Sequence, residues 1–364
     1  MKGNMKKKIF VNAYLNNNFG DDLLIYLLCQ RYPDFEFYIN ADETYIEHFE
    51  GVWNIHGIEY KNNILKKIIN RLLILLKCPR LQILKLKKEN FDINILLGGS
   101  IFIENKSFWE VKYNEEKFLR KYIEKNLIMG SNFGPYQSEK FFKSYKREFS
   151  KYDFISFRDK YSYNLFPHCP QITMGADIAF SGNYFPQEKR NNYCLISVID
   201  CKRRTDLKQF DDNYIKMISN IVKAEVSNKE IILASFCDNE GDIETINRII
   251  RTLSDDEKTK VKIYRHKNVC ESIMMITGAS LIIGTRFHSI VLALKCGIPI
   301  LPIIYSDKTK NLLNDIKFKG EVIDIRKMPK GKICINNIQP YEIKEEVVSS
   351  SNRHFEYLDN IYYK

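Results

Sequence analysis

The residues best suited to chemistry form the segment GTRFH at positions 284–288, directly after an apolar run at 281–283. The apolar run has the pattern of a buried strand, and residues 287–296 have that of an apolar helix. Arg286 and His288 therefore stand in the first helical turn, where backbone N–H groups are free to bind an anion. Arginine can hold a negative charge there, and histidine can deliver a proton near neutral pH. We predict a site for an anionic substrate at this strand end.

Four other segments place glycines or charged residues where predicted strands end, at 18–22, 97–100, 130–135 and 156–162. Ligands of open α/β sheets bind outside the carboxyl ends of the strands, and glycines there let the backbone approach closely. The loop residues predicted to line the site are Asn18, Gly20, Gly98, Gly99, Gly134, Gly284 and Thr285. These loops are also compatible with ordinary tight turns, and the loop at 18–22 with a plain βα turn in which Asp21 or Asp22 is the helix N-cap.

Arg158 follows one of these predicted strands and precedes a predicted helix. Its guanidinium has the planar fork that binds phosphate or carboxylate with two parallel hydrogen bonds. The alternative is an ion pair with Asp159 or another neighbour, and the sequence leaves both open.

The elements that must position these residues alternate short apolar runs with longer amphipathic ones. The predicted strands are 9–13, 35–39, 93–97, 127–129, 154–157, 194–198, 231–235, 261–264, 281–283, 300–304 and 322–325. The predicted helices include 21–31, 115–125, 207–226, 243–253 and 287–296. Strands that alternate with helices indicate an α/β protein with parallel sheets.

This pattern lapses over residues 175–191, which are rich in glycine, proline and charge. We therefore predict two Rossmann-like domains, 1–178 and 179–340, whose parallel sheets face a cleft. Residues 341–364 are predicted to form a helix that crosses back to the first domain. A chain of 364 residues that is 45% hydrophobic can build two cores, which excludes a wholly disordered protein.

Common catalytic signatures are missing from the sequence. It has no GxGxxG after the first strand, no GxxxxGK[ST], no HExxH, no GxSxG and no paired metal-ligand spacing. This argues against dinucleotide oxidoreductases, P-loop NTPases, zinc proteases and α/β-hydrolases, and we expect no metal in the site.

In their order and spacing, these motifs resemble those of the polysaccharide pyruvyl transferase family. The matching segments, spread over residues 8–320, are Asn18-Phe19-Gly20-Asp21, Leu97-Gly98-Gly99, Gly130 to Pro135, Arg158-Asp159, Ser162, Asp177, Gly284 to His288, Gly297-Ile298-Pro299, Tyr305 and Lys308. The resemblance implies a two-domain fold like that of metal-independent GT-B glycosyltransferases. It also implies phosphoenolpyruvate as donor, no cofactor, and a ketal of pyruvate on two hydroxyls of a sugar in a cell-surface exopolysaccharide or capsule. By position, it assigns donor binding to Arg158, Arg286, His288 and Lys308.

Ketal formation requires an acid that protonates C3 of phosphoenolpyruvate and a base that accepts a sugar hydroxyl proton. His288 is the predicted acid, and Asp21, Asp177 and Glu271 are candidate bases that the sequence does not rank. Two other functions remain open. A nucleotide-sugar glycosyltransferase of the same architecture would use Glu271 to hold ribose and release a nucleoside diphosphate, and a non-catalytic relative would only bind glycan.

The net charge of +11 is concentrated in one segment. Residues 61–90 hold seven lysines and two arginines against one acid, Glu89, a net of +8, which leaves +3 for the rest of the chain. A nucleic-acid binder is expected to be more evenly basic, so we predict no nucleic-acid partner. Residues 64–76 have the spacing of a basic amphipathic helix. This helix either contacts a membrane that carries a lipid-linked acceptor or packs on the first sheet with its basic face in solvent.

Nine cysteines are scattered singly, and no signal peptide or long apolar span is visible. Unpaired cysteines suit a reducing compartment. We therefore predict a cytoplasmic protein, with peripheral contact at the inner face of the membrane if the basic helix binds lipid.

Overall fold

The computed structural model describes residues 6–61, 63–105, 108–184, 190–327, 333, 335 and 337–363. Its strands are β1 Lys8–Asn12, β2 Glu36–Ile39, β3 Ile55–Gly57, β4 Ile93–Leu97, β5 Lys125–Ser131, β6 Phe154–Phe157, β7 Ile172–Met174, β8 Tyr193–Ser197, β9 Glu230–Ser235, β10 Val261–Arg265, β11 Leu281–Gly284, β12 Ile300–Ile304 and β13 Ile323–Asp324.

The helices lie between these strands and at the end of the chain. They are α1 Phe19–Arg31, α2 Glu43–Ile46, α3 Ile64–Leu75, α4 Leu81–Lys85, α5 Phe108–Tyr122, α6 Glu139–Phe149, α7 Lys160–Asn164, α8 Asp211–Glu225, α9 Asp242–Ile250, α10 Asp255–Thr259, α11 Val269–Thr277, α12 Phe287–Lys295, α13 Asp307–Asp315, α14 Glu345–Ser351 and α15 Glu356–Tyr362. Short 3₁₀ turns occupy Glu47–Phe49, Leu86–Lys88, Ile178–Ser181, Lys208–Phe210, Asp238–Glu240, Ile325–Lys327 and Asn352–Phe355.

The first compact unit comprises Met1–Leu15, Leu24–Ile178 and Ser349–Lys364. Its sheet has the strand order β3-β2-β1-β4-β5-β6-β7, and all neighbouring strands are parallel. Every residue of β4 and β6 is buried, as expected for central strands of a parallel sheet, which are apolar on both faces. One core cluster is largely aromatic and includes Phe133, Tyr145 and Phe149.

The second compact unit comprises Asn16–Leu23 and Ala179–Val348. Its parallel sheet has the order β10-β9-β8-β11-β12-β13. This is the strand order of a doubly wound Rossmann sheet: β8 to β10 are added towards one edge, and β11 to β13 are added towards the other, so the winding switches between β8 and β11. Such a switch point leaves a crevice outside the carboxyl ends of the two strands, here at Ser197 and Gly284. The core beneath it contains Ile196, Ile218 and Ile283.

The predicted fold class, two Rossmann-like halves with parallel sheets, is confirmed. All eleven predicted strands are present with ends displaced by at most two residues. The sequence analysis missed β3 and β7, which are three residues long and lie at the two edges of the first sheet. Such short edge strands carry too few apolar residues to show a pattern.

The two units differ from the predicted boundaries in two places. Asn16–Leu23 groups with the second unit, and that unit extends to Val348 rather than to 340. The predicted C-terminal helix over 341–364 is replaced by α14 and α15 with a 3₁₀ turn between them. Of that segment, Ser349–Lys364 groups with the first unit.

Candidate functional site

The turn from β11 into α12 is fixed by buried hydroxyl groups at the switch point of the second unit. Ser197 Oγ accepts hydrogen bonds from the backbone N–H of Thr285 at 3.1 Å and of Arg286 at 3.2 Å, and it contacts Ser289 Oγ at 2.7 Å. The fully buried Thr285 hydroxyl lies 2.9 Å from the hydroxyl of Tyr214. Thr285 therefore supports the turn from inside the unit, and Arg286 becomes the N-cap residue of α12.

The Arg286 guanidinium is bound by two acids that the sequence analysis did not identify. Its Nε donates to Asp242 Oδ2 at 2.8 Å and its Nη1 to Glu240 Oε2 at 2.6 Å, while Nη2 also contacts Asp242. Burial disfavours the charged guanidinium, but Asp242 and Glu240 outweigh it and hold the pKa of Arg286 well above its usual value. Burial opposes ionisation of Glu240 too, yet Arg286 lowers the pKa of that carboxyl.

Two further cations surround Tyr305, which follows β12. Arg204 donates to Glu240 at 2.9 Å and lies 4.9 Å from the centre of the Tyr305 ring. Lys308 lies 5.5 Å from the same ring centre. Burial raises the pKa of Tyr305, but Lys308, Arg204 and Arg286 outweigh it, so the pKa is lowered.

These groups form a charged cluster beyond the carboxyl ends of β8, β9, β11 and β12. Its three cations, Arg204, Arg286 and Lys308, exceed its two acids by one charge. The N-termini of α12 and α13 follow β11 and β12 and add partial positive charge, which Asp307 in the first turn of α13 partly offsets. The cluster is therefore suited to an anion.

The loop at residues 18–22 contacts His288 directly. A Cβ atom at Gly20 would lie 2.7 Å from Cε1 and 2.9 Å from Cγ of the His288 ring, so only glycine fits without displacement. The Gly20 N–H donates to Asn18 Oδ1 at 2.9 Å, and the Phe19 N–H donates to the Phe236 carbonyl at 2.9 Å. The loop therefore packs against the ring of the predicted acid.

A buried polar chain fastens this loop to the second unit. The Asp22 carboxylate lies 3.0 Å from His266 Nε2, and His266 Nδ1 lies 2.7 Å from Ser272 Oγ. All three residues are buried, and Asp22 is completely so. Asp22 thus anchors the loop, while its neighbour Asp21 stays partly exposed.

In the first unit, Arg158 forms a buried ion pair. Its Nη1 donates to Asp177 Oδ2 at 2.8 Å and its Nη2 to Asn132 Oδ1 at 2.8 Å. The side chains of Arg158 and Asp177 are only 4% and 2% exposed. A Cβ at Gly99 would overlap the guanidinium, so this glycine allows the arginine to lie against the backbone. The ion-pair partner is thus Asp177 rather than the neighbour Asp159, which instead caps α7 through the Ser162 N–H at 2.8 Å.

The C-terminal segment supports the loop that carries Asp177. His354 Nε2 lies 2.6 Å from the Ala176 carbonyl oxygen, and its Nδ1 lies 2.8 Å from Ser156 Oγ. Burial lowers the pKa of His354 to about 4, so the ring is neutral at physiological pH. The Ala176 N–H also donates to Ser350 Oγ at 3.2 Å.

The structure therefore brings the predicted site residues together in two groups, each within one unit. The first unit holds Gly98, Gly99, Gly134, Arg158 and Asp177, and the second holds Asn18, Gly20, Asp21, Gly284, Thr285, Arg286, His288 and Lys308. Glu271 is exposed in the first turn of α11. The residues that the sequence analysis missed are Asn132, Arg204, Glu240, Asp242, His266 and His354. Of these, Asn132 lies in the strand-end segment 130–135 that the sequence analysis singled out, and Glu240 and Asp242 had a visible signal, an acid-rich loop after a predicted strand.

A doubly wound parallel sheet in each unit, with an anion-suited cluster at a switch point, defines an α/β protein of GT-B-like architecture. Solved structures with this fold include the UDP-GlcNAc 2-epimerase of Methanocaldococcus jannaschii, with a TM-score of 0.55, 12% identity, and coverage of 98% of this chain and 100% of that one. Another is Anabaena HepE in complex with UDP and glucose, with a TM-score of 0.52, 10% identity, and coverage of 98% and 95%. At such identities the likeness shows the fold alone.

The sequence profile of the polysaccharide pyruvyl transferase family matches residues 18–307, and the chain belongs to that family. The matched range includes every predicted site residue except Lys308, which directly follows it. The amylovoran biosynthesis protein AmsJ of Erwinia amylovora is 22% identical over 290 residues, which cover 72% of this chain and 69% of that protein.

Proposed function

We propose that the chain transfers pyruvate from phosphoenolpyruvate to two hydroxyls of a sugar, as a ketal, in the biosynthesis of a cell-surface polysaccharide. The observation that carries this proposal is the placement of Arg286 and His288 at the switch point of the second unit, within the range matched by the family. The similarity to AmsJ, an amylovoran biosynthesis protein, supports a biosynthetic role.

The donor is a small anion with a phosphate and a carboxylate, so its site needs fixed cations and N–H donors. Arg286, Arg204 and Lys308 supply the cations, and the first turns of α12 and α13 supply N–H groups. Arg286 is held rigidly by Asp242 and Glu240, so it is preorganised for the donor. We propose that these charges bind the donor without a metal ion or cofactor.

His288 is proposed to protonate C3 of phosphoenolpyruvate, which leaves C2 electrophilic. The oxygen of one sugar hydroxyl then forms a bond to C2, and its proton passes to a base. The bond from C2 to the phosphate oxygen breaks, and the oxygen of a second hydroxyl bonds to C2 to close the ketal. Of the two hydroxyl protons, one restores the proton that His288 gave to C3, and the other leaves with inorganic phosphate. No electrons are gained or lost, so the reaction is redox-neutral.

Among the candidate bases, Asp21 is the one we propose. It directly follows Gly20, which contacts the His288 ring, and it is partly exposed. Asp177 is instead engaged by Arg158 in a buried pair of the first unit. We propose that Arg158, assigned to the donor by its family position, and Asp177 act together as one substrate-binding element.

We also propose that the protein acts in the cytoplasm on a lipid-linked acceptor. The eight cysteines in the described part of the chain are free thiols, which suits a reducing compartment. Within the described ranges, each helix is too short or too polar to cross a bilayer.

The test is incubation of the chain with phosphoenolpyruvate and a panel of sugars that carry free hydroxyl pairs. We expect release of inorganic phosphate and a pyruvyl adduct by mass spectrometry, and both should persist after treatment with a chelator. A parallel reaction with nucleotide sugars tests the glycosyltransferase alternative. Release of nucleoside diphosphate there, without phosphate release from phosphoenolpyruvate, would refute the proposal.

A further inference from the structure

Helix α3 presents its apolar side chains to solvent. Six of them, all between 51% and 79% exposed, lie on one face and at the end of the helix: Ile64, Leu65, Ile68, Leu72, Leu75 and Leu76. None of the twelve residues of α3, all of which the structure describes, is buried. In a globular domain an amphipathic helix ordinarily turns this face to the core. Packing of the apolar face on the first sheet, one of the two possibilities from the sequence, is therefore wrong.

The inner side of α3 is attached through polar contacts. Asn70 Oδ1 accepts from the Leu81 N–H at 2.9 Å, and Asn70 Nδ2 donates to Gln82 at 3.2 Å. At the C-terminal end, Asn114 Nδ2 donates to the Lys77 carbonyl at 2.8 Å. These bonds fix the rotation of the helix about its own axis, and that rotation keeps the apolar face outward.

The segment that contains α3 is basic, although Lys77 and Arg80 pair with Glu110 and Glu115 of α5. Residues 60–88 contain nine lysines and arginines and no acid. Lys67 and Arg71 are exposed and, four residues apart, run along one side of the apolar face. A second copy of the chain would bring the same positive surface against this one, which opposes self-association. A surface with negative charge outside and apolar groups beneath would complement both the positive charge and the exposed apolar face of α3.

We propose that α3 docks the protein on an anionic lipid bilayer. Twelve helical residues are about 18 Å long, well short of the ~30 Å hydrocarbon core, so the helix lies in the plane of the interface. Its apolar side chains enter the boundary between head groups and acyl chains, while Lys67 and Arg71 bind lipid phosphates. The docking does not depend on the donor chemistry. It deepens the proposed function by bringing the first unit to a lipid-linked acceptor.

The experiment measures binding of the full chain to vesicles of phosphatidylcholine with phosphatidylglycerol in equal parts, and of phosphatidylcholine alone. The wild type should bind the anionic vesicles more tightly. Lys67→Gln with Arg71→Gln should weaken that binding by about thirtyfold at low salt and by less at high salt. Ile68→Asp with Leu72→Asp should weaken it by more than about tenfold on either vesicle.

Matched controls come from exposed residues elsewhere. Lys143→Gln with Lys146→Gln on α6 removes the same charge, and Met274→Asp on α11 places a carboxylate at another exposed apolar position. Both should bind vesicles as the wild type does. Circular dichroism verifies that each variant is folded.

The proposal is overturned if the wild type binds neither vesicle, or if Ile68→Asp with Leu72→Asp binds as tightly as the wild type. A dimer in light scattering that the same double variant dissociates, without vesicle binding, would assign the face to a second copy. Phosphate release with a soluble acceptor should be unchanged in all α3 variants, so failure of docking and failure of the proposed reaction are separate results.

Discussion

Replacement of Gly20 by alanine tests whether the loop at residues 18–22 positions His288. The new Cβ would lie 2.7 Å from Cε1 and 2.9 Å from Cγ of the ring, whereas ordinary contacts begin at 3.4 Å. The ring or the loop must therefore move by roughly 1 Å. A displacement of that size at a catalytic group can cost about 100-fold in rate. Crowding should also cost ~1–3 kcal/mol of stability, which leaves the protein folded.

The assay is phosphate release from phosphoenolpyruvate, with a thermal melt to confirm folding. We expect kcat/KM to fall by about 100-fold in Gly20→Ala. Gly51→Ala is the matched control because Gly51 has a φ of +85° but nothing within 4 Å of its Cβ position, so it introduces backbone strain without a clash. It should leave turnover unchanged.

A double variant shows whether the effect passes through the His288 ring. In a His288→Ala background, the ring that collides with the new Cβ is gone, so Gly20→Ala should add little further loss to the residual rate. Wild-type turnover of Gly20→Ala would refute the positioning role of the loop. So would an equally large loss in the His288→Ala background.

Arg286→Lys should raise KM for phosphoenolpyruvate more than it lowers kcat, because lysine keeps the charge but loses the planar fork; unchanged steady-state constants would contradict this. His288→Gln should lower kcat by about 10²–10⁴-fold and remove the limb of the pH–rate profile that reports the acid. His354→Gln should make the free energy of unfolding depend less on pH under acidic conditions. Burial lowers the pKa of His354 from 6.5 to about 4, so the unfolded chain takes up the proton first, and the wild type should lose about 3 kcal/mol between pH 6.5 and pH 4 in denaturant titrations. Glu116→Gln should stabilise the protein above pH 8. Burial raises the pKa of Glu116 to about 8 from 4.5, so the wild type loses stability as pH rises between these values, and equal melting of both proteins would contradict this.

The fold class could be predicted because its signal is local. A central parallel strand such as β4 is buried on both faces, so four of its five residues are apolar, and that run is visible in the sequence. The order of the strands in each sheet was not predicted, because it depends on where each connection returns.

Helix α3 illustrates the limit of periodicity. The spacing of Ile64, Ile68 and Leu72 predicted an amphipathic helix, and the helix is present. Which way its apolar face points is visible only in the structure, where Asn70 binds Leu81 and Gln82 on the attached side and Ile68 and Leu72 are exposed. Periodicity shows which side chains share a face of the helix. It does not show which face packs against the rest of the protein.

The site shows the same division. The sequence by itself determined that Arg286 and His288 begin a helix after a buried strand, because the elements involved are adjacent in the chain. Only the tertiary structure decided that Arg286 binds Asp242, 44 residues away, and that Gly20 lies against His288. Parallel strands bring their carboxyl ends to one edge of a sheet whatever their separation along the chain. The partners of a charged residue at that edge are therefore set by the strand order, which neighbouring residues do not encode.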